Sequence, residues 1–167
     1  MQKKWLLVFV FVVFTAITVS AQVTILIVRH AEKEQSSSRD PELSEEGKAR
    51  SKELDRMLRK VSIDEVYATP YKRTRNTVAP VAERIGVDIK SYDPSAQDKL
   101  ASILKGASGK TILVAGHSNT IPALLNLLTG KKEYEDMPET EYDNLFVVSI
   151  AKDHTNVVCL KFGVATE

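Results

Sequence analysis

Short apolar runs alternate along the chain with longer segments in which apolar residues recur every three or four positions. The runs at 25–28 and 111–115 are typical of strands covered on both faces. Shorter strands are expected at 63–68 and 87–92. Strands that alternate with amphipathic helices predict a three-layer α/β/α sandwich with a mostly parallel sheet.

The helical segments carry recognisable boundary signals. Ser44 is expected to cap the first helix, with Glu45 and Glu46 in its first turn, where carboxylates stabilise the helix dipole. Gly86 is expected to end the second helix, which contains Pro80. The four predicted helices cover about 45–61, 72–84, 96–104 and 121–129.

The last part of the chain predicts an antiparallel edge to the sheet. Strands at 145–150 and 157–162 flank the polar residues 151–156 and indicate a closing hairpin. Cys159 lies in an apolar run and is expected to be a small buried side chain. As the single cysteine, it permits no internal disulfide.

The amino terminus has the layout of a secretory signal peptide. Lys3 and Lys4 precede an apolar stretch at 5–19, and small residues end at Ala21. We expect cleavage after Ala21, which divides the chain into a signal peptide at 1–21 and a mature domain at 22–167. An uncleaved anchor is the alternative, but a spanning helix needs about 20 apolar residues. The expected location is therefore secreted or periplasmic, without stable membrane insertion after cleavage.

The charge balance adds little to this picture. The chain has 23 Lys and Arg against 22 Asp and Glu, a net charge of +1. Such a near-neutral, mixed surface provides no global field for nucleic acid. The sequence does not determine the oligomeric state.

Basic side chains stand where three of the predicted strands end. Arg29 and His30 follow the first strand, Arg73 lies one turn into the helix after the second, and His117 follows the fourth. Parallel strands end at one edge of the sheet, so these groups are expected to meet. Because like charges repel, the cluster favours a bound anion, and a tetrahedral phosphate suits guanidinium groups and helix amino termini.

Each motif also has an ordinary interpretation. An Arg-His pair after a strand is more often the exposed start of a loop, and Gly116-His117-Ser118 could be a turn with a hydrogen-bonded histidine. Lys72 and Arg75 compete with Arg73 for the anion-binding role. The order and spacing of the motifs, rather than any one of them, favour the phosphate site.

Three segments resemble the histidine phosphatase superfamily, in its compact branch 1. They are VRHAEK at 28–33, TPYKRTRNTVAP at 69–80 and VAGHSNTIP at 114–122, in the family's order. The resemblance covers nearly the whole mature chain and implies a phosphoglycerate mutase-like fold.

The resemblance also implies roles for individual residues. His30 matches the nucleophile that forms a phosphohistidine, and Arg29 and Arg73 match the arginines that hold the phosphate. His117 matches the second histidine at the transferring group, with Ser118 beside it as a further phosphate ligand. No metal and no other cofactor is implied, and the third histidine, His154, is expected to be exposed.

The acid of the reaction is the point at which the chain departs from the family pattern. Many members have a glutamate soon after the third strand, which protonates the leaving group. Asp93 is the nearest counterpart here, with Asp98 on the following helix and Glu32 near the nucleophile as alternatives. A reaction without a dedicated acid is also open.

The expected function is hydrolysis of a phosphomonoester, a small molecule or a cell-envelope or sugar phosphate. The chain lacks the long insertions that would cover a mutase pocket, which favours a hydrolase over a mutase. Two alternatives remain. One is a protein phosphohistidine phosphatase, which the signal peptide disfavours, and the other is a phosphate-binding module without turnover.

Overall fold

A mixed sheet of six strands forms the centre of the computed structural model, which describes residues 21–152 and 154–166. The strand order is β3-β2-β4-β1-β5-β6; the first four are mutually parallel, and β5 and β6 are antiparallel to their neighbours. The strands are β1 (Val23–Arg29), β2 (Glu65–Ala68), β3 (Ile89–Ser91), β4 (Thr111–Gly116), β5 (Asn144–Ala151) and β6 (His154–Lys161).

Helices cover both faces of the sheet. The α-helices in the described part of the chain are α1 (Glu45–Met57), α2 (Lys72–Ile85), α3 (Gln97–Lys105) and α4 (Thr120–Thr129). The first pair packs together on one face and the second pair on the other. The predicted α/β/α sandwich with an antiparallel edge is thus confirmed. The predicted first helix ends earlier, with a 3-10 turn at Leu58–Lys60.

The start and end of these helices follow their sequence signals. The Ser44 hydroxyl accepts a hydrogen bond from the backbone N–H of Gly47, as an N-cap should. Gly86 ends α2 with a φ of 71°, a left-handed conformation that favours glycine.

Strand β1 is buried on both faces, which fixes the position of its carboxyl end. Ile25 and Ile27 pack into the core beneath α3 and α4, whereas Leu26 and Val28 pack beneath α1 and α2. Arg29 pairs in register with Gly116 of β4, and β2 ends beside the same strand. The ends of β1, β2 and β4 therefore lie together at one edge.

The closing hairpin differs from the prediction in two respects. Strand β6 begins at His154, which pairs with Ala151, so most of the predicted connection at 151–156 is strand. Cys159 is exposed, contrary to the expectation that it is buried. It lies on an edge strand paired on one side, where Val158 and Leu160 are also exposed.

The signal-peptide prediction falls on residues 1–21, of which 1–20 lie outside the described residues. Within the described chain, no helix has the length and apolar character needed to cross a membrane.

Candidate active site

His30 lies directly after β1 and is 5% exposed. Its backbone N–H donates to the carbonyl of Gly116, and its Nδ1 lies 2.8 Å from the carbonyl oxygen of Ala31. A carbonyl can only accept, so we assign the ring proton to Nδ1, which leaves Nε2 with a free lone pair. Burial above all, with a smaller effect of the Arg29 charge, lowers the pKa of His30 to about 3. The imidazole is therefore neutral at pH 7.

A threonine of α2 holds the loop that follows this histidine. The backbone N–H of Ala31 donates to Thr77 Oγ1 at 2.8 Å, and the Thr77 hydroxyl donates to the carbonyl of Arg73 at 2.7 Å. Thr77 thus ties the loop after His30 to the helix turn that carries Arg73.

Arg29 is 2% exposed and lies beneath the segment between α4 and β5. Its Nη1 donates to the carbonyls of Pro138 at 2.7 Å and Glu141 at 3.0 Å, and its Nη2 donates to Glu139 Oε2 at 3.0 Å. Its Cζ lies 4.2 Å from the centre of the Tyr142 ring. These contacts hold the guanidinium group rigidly.

The Arg73 side chain has fewer hydrogen-bond partners than that of Arg29. Its Cζ lies 4.5 Å from the centre of the Tyr71 ring, and Asp40 Oδ1 lies 3.8 Å from Nη1, too far for a strong hydrogen bond. Its Nε is buried and has no hydrogen-bond partner within residues 21–152 and 154–166. Arg75, one of the competing basic residues, is exposed and does not line the cavity described below.

His117 follows β4, and its ring centre lies 5.4 Å from that of His30. Its backbone N–H donates to Thr120 Oγ1, which anchors it to the start of α4. The preceding Gly116 allows this approach, because a Cβ there would lie 3.0 Å from Ile121 Cγ1 and from Thr120 Oγ1.

Two buried threonines determine which nitrogen of His117 carries the proton. The Thr74 hydroxyl donates to the carbonyl of Tyr71 or Thr69, at 2.8 and 3.0 Å, so it accepts from Thr69 Oγ1. Thr69 Oγ1, having used its own hydrogen, accepts from His117 Nε2 at 2.9 Å. Neutral His117 therefore has its proton on Nε2. Burial first, and then the Arg73 and Arg29 charges, lowers its pKa to about 4.

These groups border a cavity of about 710 Å³ at the carboxyl edge of the sheet. The structure thus brings together His30, Arg73, His117 and Ser118, and buried Arg29 is joined to the cavity through its ion pair with Glu139. The cavity is lined by His30, Lys33, Tyr71, Arg73, Pro94, Ser95, His117, Ser118, Asn119, Thr120, Asp136, Met137 and Glu139. Among the described residues, no group of three or more His, Cys, Asp or Glu side chains is placed to hold a metal ion.

Asp93 does not line this cavity, although Pro94 and Ser95 do. Its carboxylate accepts from the N–H and the hydroxyl of Ser95, at 2.8 and 2.7 Å, and so shapes the turn before α3. Asp98 is exposed on α3 and is also outside the cavity lining. The structure does not bring either carboxylate to His30.

Glu32 has a structural partner instead. Its carboxylate accepts from Nε and Nη2 of Arg50, at distances of 2.7 to 3.0 Å. Arg50 is 5% exposed and also donates to the carbonyls of Phe162 and Val164. This pair joins the loop after His30 to α1 and to the carboxyl-terminal segment, away from the cavity.

Two carboxylates that sequence reasoning missed do line the cavity: Asp136 and Glu139. Glu139 Oε1 accepts from Ser118 Oγ at 2.8 Å, while Oε2 accepts from Arg29. The Ser118 hydrogen bond first, together with the Arg29 charge, lowers the pKa of Glu139. Residues 130–142 have no periodic pattern, so the sequence held no signal for this placement.

Comparison with known proteins agrees with the fold and the motifs. The sequence model of the histidine phosphatase superfamily (branch 1) matches residues 25–94 of this chain. Phosphoserine phosphatase 1 of Hydrogenobacter thermophilus is 35% identical over 77 residues, 42% of this chain and 36% of that protein. The match thus spans about a third of the length of this relative.

Two solved structures show the same architecture. The protein histidine phosphatase SixA complexed with tungstate has a TM-score of 0.66 and 17% identity, over 83% of this chain and 96% of its own. The phosphoglycerate mutase of Bacillus anthracis has a TM-score of 0.62 and 12% identity, over 84% of this chain and 93% of its own. At such identities the likeness is one of fold.

Fold and strand-end motifs together define a phosphoglycerate mutase-like α/β protein. The family model matches the segment that contains Arg29, His30 and Arg73, so the chain is similar to the histidine phosphatase superfamily (branch 1) over residues 25–94. The resemblance seen in the three sequence motifs is confirmed at this level.

Proposed function

We propose that the protein is an exported phosphomonoester hydrolase that works through a phosphohistidine at His30 and needs no metal. The observation that carries the proposal is the state of His30, a buried neutral imidazole with Nδ1–H bound to a carbonyl and Nε2 free. It lies beside His117 at a cavity lined by Arg73. A neutral imidazole next to fixed cations is equipped to attack a phosphoryl dianion.

The geometry suits a reaction in two steps. In the first, the Nε2 lone pair of His30 attacks phosphorus and the bond to the ester oxygen breaks. The Ala31 carbonyl, which accepts from Nδ1–H, stabilises the positive charge that develops on the ring. In the second, water attacks phosphorus and the electron pair of the P–N bond returns to Nε2. Arg29 and Arg73 would stabilise the equatorial oxygens throughout, and His117 would join them once the bound dianion raises its pKa and Nδ1 takes a proton.

Hydrolysis is favoured over mutase chemistry by the relatives and by the chain itself. The names of the Hydrogenobacter relative and of the tungstate complex are those of phosphatases. A mutase must retain its phosphorylated intermediate while the product reorients, and between the elements at residues 23–161 the described chain has no long insertion that could cover the cavity. An envelope or sugar phosphate is the substrate class we propose.

Export is proposed from the amino-terminal sequence. Lys3, Lys4 and the apolar residues 5–19 motivate it. Mass spectrometry of the protein from its native cell should give an amino terminus at or near Gln22. Intact Met1 in a membrane fraction would indicate an anchor instead.

Rapid-quench kinetics with a ³²P-labelled aryl phosphate, in the presence of a chelator, test the chemistry. The wild type should form an acid-labile, alkali-stable phosphoenzyme and turn over. His30→Asn should bind vanadate yet form no phosphoenzyme, whereas His117→Asn should form it slowly. Wild-type turnover by His30→Asn would refute the mechanism, and label on His117 would reverse the two roles.

A substrate screen decides between hydrolase classes. Sugar phosphates and envelope fragments should be the better substrates, compared by kcat/KM with a phosphohistidine peptide. A preference for the peptide would favour a protein phosphohistidine phosphatase. The name of the tungstate-bound neighbour places that neighbour in this class. If the protein binds vanadate but turns over none of these substrates, it is a phosphate-binding module rather than an enzyme.

A further inference from the structure

Glu139 joins two groups that the sequence motifs predict as phosphate ligands, Arg29 and Ser118. Its Oε2 accepts from Arg29 Nη2 at 3.0 Å and its Oε1 accepts from Ser118 Oγ at 2.8 Å, at the cavity that His30 and His117 line. We propose that Glu139 is the general acid and base of the reaction, displaced from Arg29 and Ser118 when the phosphoryl group binds. The inference rests on the proposed hydrolase function and supplies the proton donor that function lacks.

Displacement follows from competition for the same donors. A phosphoryl dianion has more charge than a carboxylate and presents oxygens that match a guanidinium fork. The Glu139 side chain is 76% exposed, so it can rotate at little cost. The Arg29 side chain is only 1% exposed and is fixed by its hydrogen bonds. Arg29 also donates to the carbonyls of Pro138 and Glu141, on both sides of Glu139. The backbone therefore keeps Glu139 at the cavity after its carboxylate has moved.

The same exchange would supply the proton. In the structure, the Ser118 hydrogen bond and the Arg29 and Lys33 charges lower the pKa of Glu139. After displacement the hydrogen bonds are lost and a dianion lies nearby, and both changes raise the pKa of a carboxyl group. The exposed side chain can then take a proton from water. The other charged or titratable side chains of the cavity are His30, Tyr71, Arg73, His117 and Asp136.

The proton balance closes over the two steps. In the first, the Glu139 proton passes to the ester oxygen as its bond to phosphorus breaks and the bond to His30 Nε2 forms, so a neutral alcohol leaves. In the second, water attacks phosphorus and gives one proton to the Glu139 carboxylate, while the P–N electron pair returns to Nε2. Inorganic phosphate leaves, and Glu139 and His30 regain their starting protonation.

The other carboxylates are less suited to this role. Glu32 is bound to buried Arg50, and Asp93 is bound to Ser95 outside the cavity lining. Asp136 lines the cavity, but Glu139 is the one bonded to the predicted phosphate ligands. Position and partners thus distinguish Glu139.

The dependence on the leaving group tests the assignment. An aryl phosphate with an acidic phenol needs no proton at the ester oxygen, whereas an alkyl phosphate does. Glu139→Gln should lower kcat/KM for the alkyl ester by about 10²–10³-fold and change kcat/KM for the aryl ester by only a few fold, because kcat/KM reports the steps up to the phosphoenzyme. Glu135→Gln, an exposed residue of the same segment outside the cavity lining, is the matched control and should leave both rates unchanged.

Other outcomes would overturn the inference in distinguishable ways. Equal losses of kcat/KM on both esters would make Glu139 a positioning residue. A lower KM with unchanged kcat on both would make its carboxylate only a competitor of phosphate. A selective loss in Asp136→Asn, with none in Glu139→Gln, would transfer the role to Asp136. A wild type that turns over neither ester would instead refute the hydrolase function itself.

Discussion

Replacing Arg73 by alanine should reduce catalysis strongly while leaving the fold nearly as stable. The guanidinium lines the cavity, and its buried Nε has no partner among the described residues. A fork of two charge-assisted hydrogen bonds to the developing phosphoryl charge is worth about 3–4 kcal/mol. At about 1.4 kcal/mol for each factor of ten, kcat/KM should fall by about 10²–10³-fold.

The expected effect on stability is much smaller. The contact with the Tyr71 ring is worth about 0.5–1 kcal/mol, and the 3.8 Å approach to Asp40 contributes little. Removing Arg73 also relieves repulsion with Arg29. We therefore expect the free energy of unfolding to change by less than about 1 kcal/mol.

Steady-state kinetics and urea denaturation of Arg73→Ala and Arg75→Ala measure both effects. Arg75→Ala, which alters an exposed arginine of the same helix, should behave as the wild type in both assays. If Arg75→Ala is the inactive variant, the assignment of the second phosphate-binding arginine is wrong. If Arg73→Ala unfolds the protein, its guanidinium is part of the structural framework rather than a ligand.

Three further predictions follow from particular contacts. Glu32→Gln should lower the free energy of unfolding measured in urea by about 2–3 kcal/mol, because the charge of buried Arg50 loses its carboxylate partner. Turnover per folded molecule should be retained; a large loss of kcat would instead indicate that Glu32 is the general acid. The folded pKa of His30, about 3, lies below its unfolded value near 6.5, so the unfolded state binds more protons in that window. His30 should therefore contribute a fall in stability of about 1.4 kcal/mol per pH unit as the pH drops below 6. His117, whose pKa is lowered to about 4, adds a second such fall, so His30→Asn should reduce the slope by about half in denaturation measured at several pH values. Cys159 should react with a thiol reagent in the native protein, and protection until unfolding would contradict its exposure on β6.

The parts of the site that could be predicted are those attached to doubly buried strands. β1 and β4 are uninterrupted apolar runs, and their burial on both faces fixes where each strand ends. Since parallel strands end at one edge, the placement of Arg29, His30 and His117 at one site followed from the pattern alone.

The parts that escaped prediction depend on long-range docking. Glu139 reaches Arg29 from a segment without periodicity, and its position depends on how β5 pairs beside β1. Cys159 lies in an apolar run that looks the same on an inner strand and on an edge strand. Only the strand order, with β6 outermost, reveals its exposure.

The register of the sheet has a consequence for biosynthesis. Arg29 and Gly116 are paired neighbours, although most of the chain lies between them. A nascent polypeptide that has released β1, α1 and α2 from the ribosome still lacks β4 and the second histidine. Phosphoryl-transfer competence should therefore appear late and abruptly during synthesis. Under the proposed export, a chain kept unfolded until translocation would be unable to hydrolyse phosphorylated metabolites in the compartment where it is made.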